Sequence, residues 1–113
     1  MKAHRAERIA SLIHEELGKF LLREVEFPEG SLVTISRVEV DRELATASVW
    51  VSVLPSSSKG EVMKILKDEQ GRMQFLLNRK MNIKPMPRIN FLLDEGLEKA
   101  AAIEKIFIAG DNQ

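Results

Sequence analysis

A block of positive charge lies in the second half of a chain whose charges otherwise cancel. The 113 residues include 17 lysines and arginines and 17 aspartates and glutamates. Residues 71–88, GRMQFLLNRKMNIKPMPR, carry five positive charges and no negative one, at Arg72, Arg79, Lys80, Lys84 and Arg88. Most lysines and arginines are simply solvated, but a solvated surface usually mixes both signs. A block of one sign therefore favours binding to a polyanion, whose phosphates such side chains would contact.

Gly71 stands inside what otherwise reads as a helix. A glycine in a helix interior costs about 1 kcal/mol relative to alanine. Either the helix tolerates it, or one helix ends there and another begins. We predict the second arrangement, a helix–kink–helix whose second helix starts at Gly71 and presents its first free amides as an anion site.

The first nine residues carry a smaller excess of positive charge. Lys2, Arg5 and Arg8 outweigh Glu7 there. These three cations could extend the central block, although the sequence does not show whether the two groups share one surface. No apolar run approaches the roughly 18 residues of a membrane span. The N-terminus also lacks a signal-peptide core, so we expect a cytoplasmic protein.

Residues suited to catalysis or metal binding do not form a credible site. The chain has no cysteine, which excludes thiolate catalysis, thiolate metal sites and disulfides. His4 and His14 are ten residues apart on one predicted helix, a spacing that does not put two ligands side by side. The serines at 56–58 have no nearby histidine, and the adjacent Asp94 and Glu95 do not converge on a helix. We therefore expect no enzyme, no cofactor and no metal.

Alternating apolar residues predict an antiparallel hairpin after an N-terminal helix. Residues 5–24 place apolar side chains at every third or fourth position, which is typical of an amphipathic helix. Strands follow at 33–40 and 45–54, joined by a turn at DREL, with a bulge predicted near Ser36 and Arg37. Trp50 lies on the predicted wet face of the second strand, where it would shield the sheet through cross-strand contacts or contact a partner.

The second half of the chain predicts a helical crossover to a third strand. Ser58 and Glu61 match a capping box, so a helix should begin near Lys59. A strand at 88–93 follows, and Asp94 would cap a closing helix that ends near Gly110. A long helical connection normally joins parallel strands. The fold class we predict is α+β: a three-stranded mixed sheet with helices on one face, in the order α-β-β-α-(kink)-α-β-α.

Three segments of the chain are similar to one known family. They are RAERIASLIHEELGKFLL, VTISRVEVDRELATASVWVSVL and PRINFLLDEGLEKAAAIEKIF, and together they cover nearly the whole sequence. They resemble ribosome-binding factor A, a bacterial assembly factor of the small ribosomal subunit. The most specific pieces are VEVDRELATASVWVSVL and the Pro-x-Ile-x-Phe-x-x-Asp-Glu pattern from Pro87 to Glu95.

The resemblance implies a type II KH fold and an RNA ligand. The family typically marks its interrupted helix with Ala-x-Gly, which aligns here with Glu69-Gln70-Gly71. A carboxylate beside a phosphate site is repulsive, so Glu69 must point away, pair with a neighbour such as Arg72, or weaken the contact. The family also commonly has an aromatic residue at the position of Trp50.

The resemblance and the charge block together give a specific functional hypothesis. Residues 1–113 would form a single KH-like RNA-binding domain, a monomer without DNA or membrane partners. It would bind small-subunit rRNA and the immature or free small subunit during late maturation and rRNA processing, in a family associated with growth in the cold. The predicted RNA-binding residues are Gly71, Arg72, Arg79, Lys80, Lys84 and Arg88, with Lys2, Arg5 and Arg8 as a possible extension. The alternative is a protein-interaction module that docks through the open sheet face around Trp50.

Overall fold

A computed structural model describes residues 2–96 of the chain. Helix α1 spans Lys2–Glu24, and strands β1 (Leu32–Val40) and β2 (Thr46–Leu54) follow as a hairpin. A short 3-10 turn at Ser56–Ser58 leads into helix α2 (Lys59–Met81), which is followed by strand β3 (Arg88–Leu93). The predicted strands and first helix are confirmed to within a few residues. The predicted closing helix lies outside the described residues.

The three strands form one mixed sheet in the order β1-β2-β3. Strands β1 and β2 are antiparallel, and β2 and β3 are parallel, as the helical crossover predicted. The predicted bulge is confirmed, because the register shifts between Ile35 and Arg37. In the hairpin turn, the Asp41 carboxylate accepts hydrogen bonds from the amides of Ala45 and Thr46 at 2.7 and 3.1 Å. This α+β sandwich confirms the predicted fold class.

The core lies between the sheet and the two helices. Alternate residues of β2, from Ala47 to Val53, are buried on one face of the sheet. Helix α1 contributes Ile13 and Leu17, and α2 contributes four buried side chains, Val62, Leu66, Met73 and Leu77. Both helices therefore cover the same side of the sheet, and the opposite side carries the polar members of β2.

The predicted kink at Gly71 is wrong. Helix α2 runs without a break through residue 71, so the amide there is already hydrogen-bonded within the helix and is not a free anion donor. Met73 and Leu77 are fully buried beyond the glycine and hold the second half of the helix against the core. Their burial and the continuous hydrogen bonding outweigh the modest cost of one glycine. The anion site that we expected from a second helix N-terminus does not exist.

The predicted capping box is also wrong, although the predicted helix start is right. Ser58 is the N-cap of α2, but its side chain makes no capping hydrogen bond. Its backbone is already helical, with φ −89° and ψ −6°, because the 3-10 turn at Ser56–Ser58 leads directly into the helix. A capping serine normally has an extended backbone, which directs its hydroxyl towards the free amides.

Gln74 joins helix α2 to the start of β3. Its amide nitrogen donates to the carbonyl of Pro87 at 3.0 Å, and its amide oxygen accepts from the Ile89 N–H at 2.8 Å. The Arg88 N–H donates instead to the Ala45 carbonyl beside β2. The Ile89 N–H therefore points to the outer edge of the sheet, where Gln74 supplies its acceptor.

Replacing Gln74 with alanine should reduce the free energy of unfolding by about 1–3 kcal/mol, the usual cost of leaving a partly buried amide without a partner. Urea unfolding at 25 °C would measure the loss. The control is Gln70→Ala, one turn earlier, because the Gln70 side chain makes no hydrogen bond within residues 4–96. An equal loss in both variants would contradict this role of Gln74.

Asp94 directly follows β3, and the closing helix that the sequence predicted it to cap lies outside the described residues. Its Oδ1 accepts a hydrogen bond from the Gly96 amide at 2.9 Å. This bond, together with contacts to Ser36 and Arg37, lowers the pKa of Asp94 below the ordinary 3.8. A lowered carboxyl pKa means that the contribution of Asp94 to stability is present above pH 3.8 and is lost as the pH falls below that value.

Within residues 2–96, neither helix is apolar enough over sufficient length to cross a bilayer.

Candidate nucleic-acid interface

A stripe of exposed residues runs along the solvent-facing side of α2, and it exists only because the helix is continuous. In an unbroken helix, residues three or four apart are neighbours on one face. Six exposed residues of α2 follow this spacing: Lys64, Lys67, Gly71, Phe75, Asn78 and Arg79. A rise of 1.5 Å per residue makes the stripe about 22 Å long. We call these six residues, together with the adjacent Lys84, the basic face.

The cations of the basic face are free to meet a ligand. Within residues 4–96, Lys64, Lys67 and Lys84 make no ion pair. Arg79 lies over the Phe75 ring, with its guanidinium carbon 5.6 Å from the ring centroid. Glu61 is three residues before Lys64, and Asp68 lies within the stripe, four residues after Lys64 and three before Gly71. The positive charge is therefore strongest between Gly71 and Lys84.

Two shallow clefts adjoin the basic face. One, of about 350 Å³, is lined by Met63, Lys64, Lys67 and Phe91. The other, of about 270 Å³, lies at the end of α2 and is lined by Asn78, Asn82, Ile83, Lys84 and Met86. The second cleft joins Lys84 to the helix stripe through Asn78. Arg79 and Lys80 also lie in the last turn of α2, where cations interact favourably with the helix dipole.

Arg72 is occupied by two carboxylates of its own chain. Its Nε donates to Glu69 at 2.7 Å, and its Nη1 donates to Glu24 at 3.1 Å. A third bond runs from Nη2 to the Glu24 carbonyl, at the end of α1. The hydrogen bond to Glu69 is the largest of the effects that raise the pKa of Arg72. Of the three possibilities for Glu69, the structure thus shows pairing with Arg72. The bonds from Arg72 to Glu24 tie α2 to α1.

Two of the remaining central cations point away from the basic face. Arg88 is the first residue of β3 and is paired with Thr46, on the sheet face opposite the buried Ile89 and the helices. Lys80 directly follows Arg79, and consecutive residues project about 100° apart around a helix. The structure therefore brings Gly71, Arg79 and Lys84 together, and leaves Arg72, Lys80 and Arg88 outside that surface.

The N-terminal cations lie near the far end of α1. Lys2 begins the helix, and Arg5 and Arg8 are exposed in its first two turns. Glu24, which contacts α2 through Arg72, lies at the other end, roughly 24–29 Å along the axis from Arg8 and Arg5. The described structure does not bring these cations to Arg72.

Trp50 lies in a polar and ionic cluster on the open face of the sheet. Arg37 is its cross-strand partner and stacks on the indole, with its guanidinium carbon 4.4 Å from the ring centroid. Arg37 also pairs with Glu39 at 3.5 Å, and Ser36 donates to the Trp50 carbonyl at 3.2 Å. These contacts match the expectation that Trp50 shields the sheet through cross-strand contacts.

Lys64, Lys67 and Phe75 were missed as members of the candidate site. The two lysines belong to a segment that is acidic in sum, and a kink at Gly71 would separate them from Phe75. The signal was nevertheless present, since these residues recur at helical spacing on the face opposite Met73 and Leu77.

Among the residues that the structure describes, no group of histidines and carboxylates could hold a metal ion.

Comparisons with known proteins give a consistent result. A family model described as ribosome-binding factor A matches residues 5–107. The ribosome-binding factor A of Pseudomonas aeruginosa is 32% identical over 105 residues, covering 90% of this chain and 81% of that protein. A solution structure from Thermotoga maritima, a putative ribosome-binding factor A, matches with a TM-score of 0.59 and 26% identity, covering 77% of this chain and 88% of the other.

A third match concerns the fold alone. A homology model of Thermus thermophilus ribosome-binding factor A, fitted into a cryo-EM map of a 30S complex with that factor, gives a TM-score of 0.57 at 22% identity. It covers 74% of this chain and 92% of the other. These likenesses are consistent with the KH-like architecture that the sequence predicted. Because the family model spans most of the sequence, the chain belongs to the ribosome-binding factor A family.

Proposed function

We propose that this chain binds the small ribosomal subunit and its rRNA as a non-enzymatic assembly factor during late maturation and rRNA processing. The family supports a ribosomal ligand, and a homology model of the Thermus thermophilus factor has been fitted into a cryo-EM map of its 30S complex. On this proposal residues 1–113 act in the cytoplasm as one monomeric RNA-binding domain. The chain needs no cofactor, meets neither DNA nor membrane, and supports growth in the cold.

The observation that carries the proposal is the set of free cations on the basic face. Lys64, Lys67 and Lys84 have no acidic partner elsewhere in residues 4–96, and Arg79 contacts an aromatic ring. The phosphate contacts come from side chains, because α2 has no break that could expose its amides. Contacts to phosphates fix the position of a ribose-phosphate strand but depend little on its base sequence. The shape of the subunit therefore supplies the specificity of binding.

A salt titration of binding to purified small ribosomal subunits tests this function. With four phosphate contacts, a plot of the logarithm of the association constant against the logarithm of the salt concentration should have a slope of roughly −3. The measurement is the dissociation constant of labelled protein for the subunits in KCl at about 50 to 300 mM, a range that includes physiological ionic strength. A slope near zero would contradict RNA binding through the basic face.

The open sheet face favours a second candidate function, docking on a protein. Three leucines are exposed there: Leu32, Leu54 and Leu92, at 60%, 47% and 37%. Leu92 is the β3 neighbour of Trp50, and Leu32 pairs with Leu54. On this alternative, Trp50→Ala would disrupt a protein complex and salt would have little effect, so the same titration separates the two functions.

A further inference from the structure

Phe75 is an exposed aromatic residue on a helix whose other large apolar residues face the core. Its side chain is 56% exposed, whereas Met73 and Leu77 on either side of it in sequence are fully buried. The other phenylalanines of the described chain, Phe20, Phe27 and Phe91, pack in or against the core. Phe75 therefore contributes little to folding, and its ring is available to a ligand.

Phe75 has Arg79 four residues after it on α2 and a glycine, Gly71, which has no side chain, four residues before it. The Arg79 guanidinium lies 5.6 Å from the ring centroid. A Cβ built on Gly71 would have no neighbour within 4 Å, so the space one turn before Phe75 is open. Any longer side chain at position 71 would pack against the ring at this spacing.

We infer that Phe75 is a stacking platform for one unpaired nucleobase of a single-stranded RNA, and that Gly71 keeps the platform uncovered. This inference rests on the proposed function and names the ligand of its basic face. Every base has a π-face, so an aromatic side chain beside cations binds single strands with little dependence on sequence. Arg79 borders the ring and can also contact the adjacent phosphate.

The charge around Phe75 favours RNA over an apolar partner. Lys67 precedes Gly71 by one turn, and Lys84 lies beyond Asn78 at the end of the helix. Neither lysine is paired within the described residues. A hydrophobic partner covering Phe75 would have to desolvate these cations without compensating them, whereas a ribose-phosphate strand supplies a counter-charge on both sides of the ring.

The test compares two probes that differ only in their bases. One is a fluorescein-labelled oligouridylate, whose bases are largely unstacked, and the other is an abasic ribose-phosphate of the same length. Phe75→Leu should weaken binding to oligouridylate by about 5- to 150-fold, the usual effect of removing one base–aromatic stack. Binding to the abasic strand should not change. Leu22→Ala is the matched control, because Leu22 is an 87% exposed apolar residue on α1, and it should affect neither probe.

A second variant separates stacking from a structural role. Gly71→Met should raise the melting temperature by a few degrees, since methionine is a better helix former than glycine. It should also weaken oligouridylate binding, because the new side chain covers the ring. A gain in stability combined with a loss of base-dependent affinity is not expected if Gly71 and Phe75 serve only the fold.

Three outcomes would overturn the inference. The first is equal binding of wild type and Phe75→Leu to oligouridylate. The second is an equal effect of Phe75→Leu on both probes. The first outcome combined with a loss of binding to small subunits would assign Phe75 to a ribosomal protein. The third is equal binding of the two probes by wild type. If wild type binds small subunits with the expected salt slope but the two probes equally well, this inference fails and the proposed function stands. If wild type does not bind small subunits, the proposed function itself fails.

Discussion

Neutralising the four cations of the basic face should weaken binding to small ribosomal subunits by about 10²- to 10³-fold near 0.1 M salt. The variant carries glutamine at Lys64, Lys67, Arg79 and Lys84. Each phosphate contact contributes roughly −0.7 to the slope of the logarithm of the association constant against the logarithm of the salt concentration. Because 0.1 M is one logarithmic unit below 1 M, each contact strengthens binding at 0.1 M salt by about 0.7 logarithmic units. The same variant should flatten the slope from roughly −3 towards zero. Both quantities come from one titration of labelled protein with purified subunits.

A charge-matched pair of double variants tests whether position matters beyond net charge. Lys67→Gln with Arg79→Gln removes two cations from the basic face, and should cost roughly 25-fold near 0.1 M salt. Arg42→Gln with Arg88→Gln removes two from the hairpin turn and the opposite face of the sheet. That control should bind within about twofold of wild type, since its charges lie outside the proposed contact and are screened over about 10 Å. Equal losses in the two variants would place the RNA elsewhere.

Much of the architecture was predictable because it depends on local periodicity. Alternation in β2 identified its buried residues from Ala47 to Val53, and the change of parity near Ser36 identified the bulge. The long helical connection between β2 and β3 predicted their parallel pairing. These features follow from which side chains must leave water, and each is visible within one segment of the chain.

The composition of the candidate site was less predictable because it depends on packing between distant segments. Nothing near Arg72 indicates that Glu24, 48 residues earlier, occupies it at the end of α1. The sequence likewise does not show that Arg88 leaves the helix side of the sheet, because this depends on the register with Thr46. The error at Gly71 was of another kind. Local propensity suggested a break, but tertiary burial of Met73 and Leu77 maintains the helix.

Proline at position 71 should destabilise the protein by about 3 kcal/mol or more, whereas alanine should stabilise it by about 0.5–1 kcal/mol. In a continuous helix, Gly71→Pro loses the amide that bonds to the Lys67 carbonyl, and its ring collides with that carbonyl. Gly71→Ala removes the entropic cost of glycine, and a Cβ there meets no atom within 4 Å. The measurement is the free energy of unfolding in urea at 25 °C, with retention of the helical circular-dichroism signal as a second readout.

The two substitutions together distinguish a continuous helix from a kinked one. If a second helix began at Gly71, proline would occupy its first position, where the missing amide and fixed φ are well tolerated. Gly71→Pro would then be nearly neutral, and such a result would restore the kink and its free amides as the phosphate-binding element. A large loss with proline and a gain with alanine would instead support phosphate binding by the side chains of an intact helix. In that case glycine serves the basic face by lacking a side chain, and not by bending the backbone.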